Sequence, residues 1–177
     1  MFEQFDIAVI GAGIAGASVA ANLAKAGQRV VLLEMESQPG YHTTGRSAAV
    51  YSPIYGPQPI RALTRASLAF YENPPEEFAG RSLLSPFAAA FVARDDQLEH
   101  LATMETELAD AETVVRIDSQ EVSKRLPLLR KGYAAAALWD SGTSEIDVAA
   151  LHQGYLRQFK TAGGILMTGA EGMVLER

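Results

Sequence analysis

Residues 6–34 read DIAVIGAGIAGASVAANLAKAGQRVVLLE. Ile7-Ala8-Val9-Ile10 is a short apolar run without polar alternation, the pattern of a strand buried on both faces of a parallel sheet. Gly11, Gly13 and Gly16 follow at once. From Ile14 to Ala26 the chain is rich in alanine, with Ala17, Ala20, Ala21 and Ala24 at helical spacing. Gly27 then stands where a helix C-terminus favours a positive φ. Val30 to Leu33 forms a second apolar run, closed by Glu34. Strand, glycine turn, helix and strand make one βαβ unit.

The spacing has a mechanical reason. Gly11 permits the tight turn, Gly13 lets a pyrophosphate approach the backbone without meeting a Cβ, and Gly16 lets helix and strand pack closely. The first helical turn offers unpaired N–H groups and the positive end of its dipole to phosphate oxygens. Glu34, about 20 residues beyond the motif, is placed to accept both ribose hydroxyls of an adenosine, and its charge repels a phosphate on that ribose. Nicotinamide and flavin proteins share this unit, so spacing alone leaves NAD and FAD both open. The next segment, Pro39-Gly40-Tyr41-His42-Thr43-Thr44-Gly45-Arg46-Ser47-Ala48-Ala49, is too polar for a strand and too long for a hairpin turn. An extended FAD needs holding beyond the first βαβ unit, and this loop is placed to do it. An ordinary surface excursion is the competing reading.

The chain has 177 residues, 48% hydrophobic and 20% charged, which suits a globular core and neither a disordered nor a membrane-embedded polymer. The net charge of −6 argues against nucleic acid as a partner, because phosphate neutralisation needs a basic face. Without cysteine there are no disulfides, thiolate metal sites or thiol nucleophiles. Glu3 and Asp6 stand where a secretory leader carries positive charge, and no long apolar run follows, so no integral membrane segment and a cytoplasmic location are expected. His42, His100 and His152 lack metal-ligand spacing, so no metal is expected, and neither Ser18 nor Ser47 sits in a nucleophile elbow.

Downstream, a helix is expected from Ile60 to Tyr71, stopped by Pro74-Pro75, then a strand from Leu83 to Ala93 interrupted by Pro86. Asp95 is expected to cap a helix reaching Ala111, and Val114–Ile117 to form a strand. Asp118 should cap a short helix with Glu121 as its capping-box partner, followed by a strand from Gly132 to Trp139. Asp147 should cap a helix to Ala162, and Ile165-Leu166-Met167 should rejoin the first sheet.

With these residues in view, the chain resembles the FAD-dependent oxidoreductases that include D-amino-acid oxidases, glycine and sarcosine oxidases and D-amino-acid dehydrogenases, the DAO family. The likeness is carried by residues 6–34 and by QPGYHTTGRSAA (38–49). It continues through IRALTRASLAFYENPPEEF (60–78), LLSP (83–86) and DVAALHQGYLRQF (147–159), where the D-arginine dehydrogenase branch is nearest. The resemblance implies an α/β fold, a Rossmann-like FAD-binding domain with an inserted α+β portion of a substrate domain. Residues 1–82 would be the FAD-binding core and flavin loop, 83–140 part of the substrate domain, and 141–177 the return to the FAD-binding domain, incomplete at its C-terminus.

It further implies FAD contacts at Gly11, Gly13, Ala15, Gly16, Glu34 and Met35, a flavin cradle at Thr43, Thr44, Gly45, Arg46, Ser47, Ala48 and Ala49, and an adenine contact at Met173. Tyr55 matches an active-site tyrosine that closes over the substrate, and Ser52 stands where the branch has a threonine near the flavin. Two departures bear on the substrate. Val50 replaces a histidine of the D-arginine branch, and Ala89 replaces a glutamate that pairs with a cationic side chain, so an apolar or neutral amino acid is expected. The implied reaction oxidises the CH–NH group of a D-amino acid or amine to an imino or 2-oxo acid. Relatives are roughly twice as long, so the chain is expected to be the N-terminal portion of such an enzyme, with self-association or the remaining half as its partner. The alternative is an FAD- or NAD-binding fragment or subunit without activity of its own.

Overall fold

The computed structural model describes residues 4–171. The chain divides into two compact units, 1–49 with 69–83 and 146–177, and 50–68 with 84–145.

The first unit is built on β1 (Ile7–Ile10), α1 (Ile14–Lys25), β2 (Val30–Leu33), α5 (Val148–Thr161) and β9 (Ile165–Met167). The strands form a parallel sheet in the order β1-β2-β9, with Ile7 opposite Val30 and Val31 opposite Ile165. The final strand thus rejoins the opening βαβ unit, as its apolar run requires. Helices α1 and α5 pack together on one face, where Ala17, Ala20, Ala21, Ala24, Leu156 and Phe159 meet Ile7, Val9, Val30, Leu32 and Leu166. The alanine stripe of α1 lets α5 approach closely. Phe159 and Leu32 are fully buried in that layer, where truncating a large side chain costs about 2–5 kcal/mol.

β1 differs from its expected burial on both faces. Ala8 and Ile10 are exposed while Ile7 and Val9 are half-buried, because β1 is an edge strand with helices packed on one face. A second cluster in this unit sets Phe70, Phe78 and Tyr155 together with Leu83 and Leu151, and burial pushes the Tyr155 hydroxyl pKa up.

The second unit contains β5 (Ala89–Ala93), α3 (Leu98–Glu107), β6 (Val114–Asp118), α4 (Ser119–Arg125) and β7 (Ala136–Asp140). Its antiparallel sheet runs β5-β7-β6, with Leu138 opposite both Phe91 and Arg116. A smaller sheet runs β3-β8-β4, from Val50–Tyr51, Ser144–Ile146 and Leu84–Pro86. α2 (Gln58–Glu72) is divided between the two units. The fully buried carboxylate of Asp140 is satisfied by the Thr143 hydroxyl and Gly142 N–H of the β7–β8 turn and by the hydroxyl of Thr113, just before β6.

Three local expectations need correction. The single strand at 83–93 is two strands, β4 and β5, in different sheets. Asp95 does not cap a helix: residues 95–97 form a 3-10 turn entered from Arg94, whose N–H donates to Gln97 Oε1, and α3 begins only at Leu98. Asp118 does cap α4 by accepting the Glu121 N–H, but the Glu121 carboxylate pairs with Arg125 and Lys124 instead of reaching back. A guanidinium outcompetes a neutral backbone N–H for that carboxylate. Asp147 caps α5 through the Ala150 N–H, as its position requires.

Candidate nucleotide-binding cleft

The glycine motif is held in one shape by backbone chemistry. Gly11 continues the β1 ladder by donating to Leu33 O and then turns with φ +89°, a conformation open to glycine. A Cβ on Gly16 would lie 1.8 Å from Gly11 O, so only glycine lets the first turn of α1 sit against the strand end. Ala12 is fully buried between them.

Glu34, at the end of β2, is 7% exposed and aims its carboxylate back at the motif. Its Oε2 accepts the Ala12 N–H at 2.8 Å and its Oε1 accepts the Glu36 N–H at 3.0 Å. A carboxylate has about four acceptor positions, so each oxygen keeps one lone pair for a further donor. The two backbone bonds fix the plane of the group before any ligand arrives.

At the mouth of α1, the Thr44 hydroxyl accepts the Ile14 N–H at 3.0 Å. One donor of the first turn is therefore capped by the protein itself. The N–H groups of Gly13, Ala15 and Gly16 have no partner among the described residues, as the geometry of a helix start dictates. Those donors, and the positive end of the helix dipole, are what an anion needs.

Gly11, Gly13, Glu34, Met35, Thr43 and Thr44 line one cleft of about 310 Å³, together with Ile10, Leu33, Gly40, Tyr41, His42 and Ala170. The structure so brings together much of the expected cofactor set. Ala15 and Gly16 lie just inside α1. Gly45, Arg46, Ser47, Ala48 and Ala49 do not line the cleft; Gly45 and Arg46 belong to a 3-10 turn, and the Arg46 guanidinium lies over the Tyr41 ring at 4.7 Å. Tyr55 belongs to the second unit, with 72% of its surface exposed. Met173 lies outside the described residues.

The cleft residue Ala170 and the buried His152 were not among the expected site residues, whereas His42 belongs to the expected loop at 39–49. Ala170 reaches the cleft by donating its N–H to Glu34 O, a tertiary contact with no local signature. His42 lines the wall and pairs with Glu36 at 2.7 Å. His152 is buried on α5, and its Nε2 lies 2.8 Å from Ala12 O. Its burial, though not its contact with Ala12, was legible: it falls on the apolar stripe of α5 formed by Val148, Leu151, Tyr155, Leu156 and Phe159.

A parallel sheet whose first turn offers free donors beside a fixed carboxylate defines a dinucleotide-binding protein. The model of the DAO family, FAD dependent oxidoreductase, matches residues 6–177, and the chain belongs to that family. Over 101 residues it is 39% identical to the tRNA 5-methylaminomethyl-2-thiouridine biosynthesis bifunctional protein MnmC of Marinobacter nauticus, covering 54% of this chain and 16% of that protein. Glycine oxidase from Geobacillus kaustophilus superposes with a TM-score of 0.79 at 20% identity, over 95% of this chain and 47% of the oxidase. L-proline dehydrogenase from P. horikoshii gives 0.75 at 23%, over 96% and 45%. The chain thus spans less than half the length of these neighbours and under a fifth of the curated relative. These likenesses show the Rossmann-like FAD-binding fold.

FAD is the cofactor of this family, and the cleft fits it. The ribose can take the two lone pairs left on Glu34, and the pyrophosphate the free N–H groups of Gly13, Ala15 and Gly16. A Cβ at Gly13 would lie 3.1 Å from Thr44 Oγ1, so a side chain there would crowd the wall that the phosphates must pass.

Proposed function

We propose that this chain carries the FAD-binding part of an amine-oxidising flavoenzyme whose substrate is a neutral or apolar D-amino acid. The observation that carries the reading is the Glu34 carboxylate, oriented by two backbone N–H groups beside the free donors of α1. The chain's own residues bind and orient: Glu34 grips the sugar, the start of α1 neutralises phosphate charge, and Thr44 fixes the loop against the helix mouth. When bound, the flavin supplies acceptance of a hydride from the substrate Cα–H, leaving an imino acid that water hydrolyses to a 2-oxo acid and ammonia.

The D-arginine dehydrogenase branch supplies the D-amino-acid part of this reading, and Ala89 and Val50 turn it away from a cationic side chain. Desolvating a guanidinium without a carboxylate partner costs several kcal/mol, a large share of the roughly 8 kcal/mol of a micromolar affinity. The tRNA-linked function printed for the MnmC relatives is a property of those proteins; a chain of net charge −6 gives little support to polyanion binding. A second reading, a nucleotide-binding portion that turns over only with further chain, is supported by the share of its neighbours' length that it spans.

The test is turnover of D-leucine, D-phenylalanine and D-arginine by the complete enzyme, followed as 2-oxo acid and ammonia. The neutral substrates should be preferred by at least about ten-fold in kcat/KM, a difference of 1.4 kcal/mol. A preference for D-arginine, or no turnover of any D-amino acid, defeats the proposal.

A further inference from the structure

We infer that His152 is a positioning residue for the pyrophosphate end of the cofactor, an inference that rests on the FAD-binding reading above. His152 is 4% exposed and does not line the nucleotide cleft. Its Nε2 lies 2.8 Å from Ala12 O, and a carbonyl has no hydrogen to give, so Nε2 carries the proton and donates.

The consequence follows from peptide geometry. In a trans peptide the C=O and the next N–H point in opposite directions, and the chain has no cis bonds among its described residues. Holding Ala12 C=O toward α5 therefore turns the Gly13 N–H the other way, toward the cleft that Gly13 lines. Ala12 is pinned at both ends, its N–H on Glu34 Oε2 and its C=O on His152. Between glycines at 11 and 13, which resist rotation least, the Glu34 bond holds the Gly11–Ala12 peptide and the His152 bond keeps the Ala12–Gly13 peptide from flipping.

The ring also touches the opposite wall. A Cβ on Gly40, whose φ is +79°, would lie 2.9 Å from His152 Cε1 and 3.1 Å from Nδ1. Gly40 in turn accepts the Gly45 N–H at 2.8 Å, which closes the loop whose Thr44 caps α1. His152 is thus a shared post for the glycine motif and the loop, and it sets the distance between the two sides of the phosphate site.

Titration of the complete chain with FAD and with ADP, in wild type, His152→Gln and His152→Leu, tests this. Glutamine retains a donor that can reach Ala12 O; leucine keeps the bulk and removes the donor. His152→Leu should bind both nucleotides at least about ten-fold more weakly, and His152→Gln within about three-fold of wild type. Equal binding by all three, or equal weakening in both variants, overturns the inference. A wild-type chain that binds neither nucleotide overturns the functional reading first and takes this one with it. Should His152→Leu fail to fold, nitrogen chemical shifts of labelled histidine in the wild-type protein decide: a proton on Nε2 of His152 supports the role, and one on Nδ1 overturns it.

Discussion

At the scale of single residues, Glu34 does two jobs with one group. Its oxygens already hold the Ala12 and Glu36 N–H groups, so it stabilises the fold around the cleft as well as presenting acceptors to a sugar. Glu34→Gln should therefore act twice. Both oxygens face N–H donors, and an amide must turn its NH2 toward one of them, leaving a backbone donor unmet at about 1–3 kcal/mol. Loss of the charge should further weaken FAD binding by about 10–100-fold, since a hydrogen bond to a charged group contributes about 1.5–3 kcal/mol. Urea unfolding of the ligand-free protein and flavin fluorescence titration separate the two effects. Unchanged affinity would remove Glu34 from the site. The glycines and this acid were legible in the sequence because their spacing is enforced by local geometry; His152 and Ala170 were not, because their roles arise from contacts between segments far apart along the chain.

At the scale of elements, the parallel pairing of β1 with β2 is anchored at its start by Asp6 and Arg29. The Asp6 carboxylate accepts from the Arg29 backbone N–H and from its guanidinium at 2.9, 3.1 and 2.7 Å. These bonds lower the Asp6 pKa from 3.8 to about 2. A lowered folded-state pKa means that the unfolded chain takes up the proton first, so this contribution is complete above about pH 4 and fades as pH falls toward 2. Asp6→Asn should accordingly lower the denaturation midpoint near neutral pH, and its difference from wild type should shrink across that window. A difference independent of pH would show that the ion pair does not hold the strand. The elements themselves were largely readable. The tetrad Ile7–Ile10, the alanine-rich α1 and the Asp147 cap stand where pattern and capping chemistry place them. The start of α3 was not, because the Gln97 side chain and the Arg94–Asp96 ion pair draw the preceding residues into a 3-10 turn.

At the scale of the whole molecule, the first unit brings the ends of β1 and β2, the glycine turn before α1 and the loop at 40–44 to one cleft. The fold class follows from the order of apolar runs and glycines, since a strand, a helix and a strand within 34 residues admit a parallel pairing and little else. What the sequence left less legible is which loop residues reach the cleft: Thr43 and Thr44 do, while Gly45 to Ala49 do not line it. Gly45 and Arg46 follow Thr44 in a 3-10 turn stapled by the Gly45 N–H on Gly40 O, with the Arg46 guanidinium stacked on Tyr41, and no residue pattern announces that hydrogen bond. The proposed complex sets an adenine dinucleotide against the start of α1 with its ribose on Glu34. Its most direct test is calorimetric titration of the complete chain with FAD, NAD and NADP. A single FAD site and no NADP binding are expected, because the Glu34 carboxylate repels a 2′-phosphate. FAD that binds no better than NADP, or fails to bind at all, would contradict it.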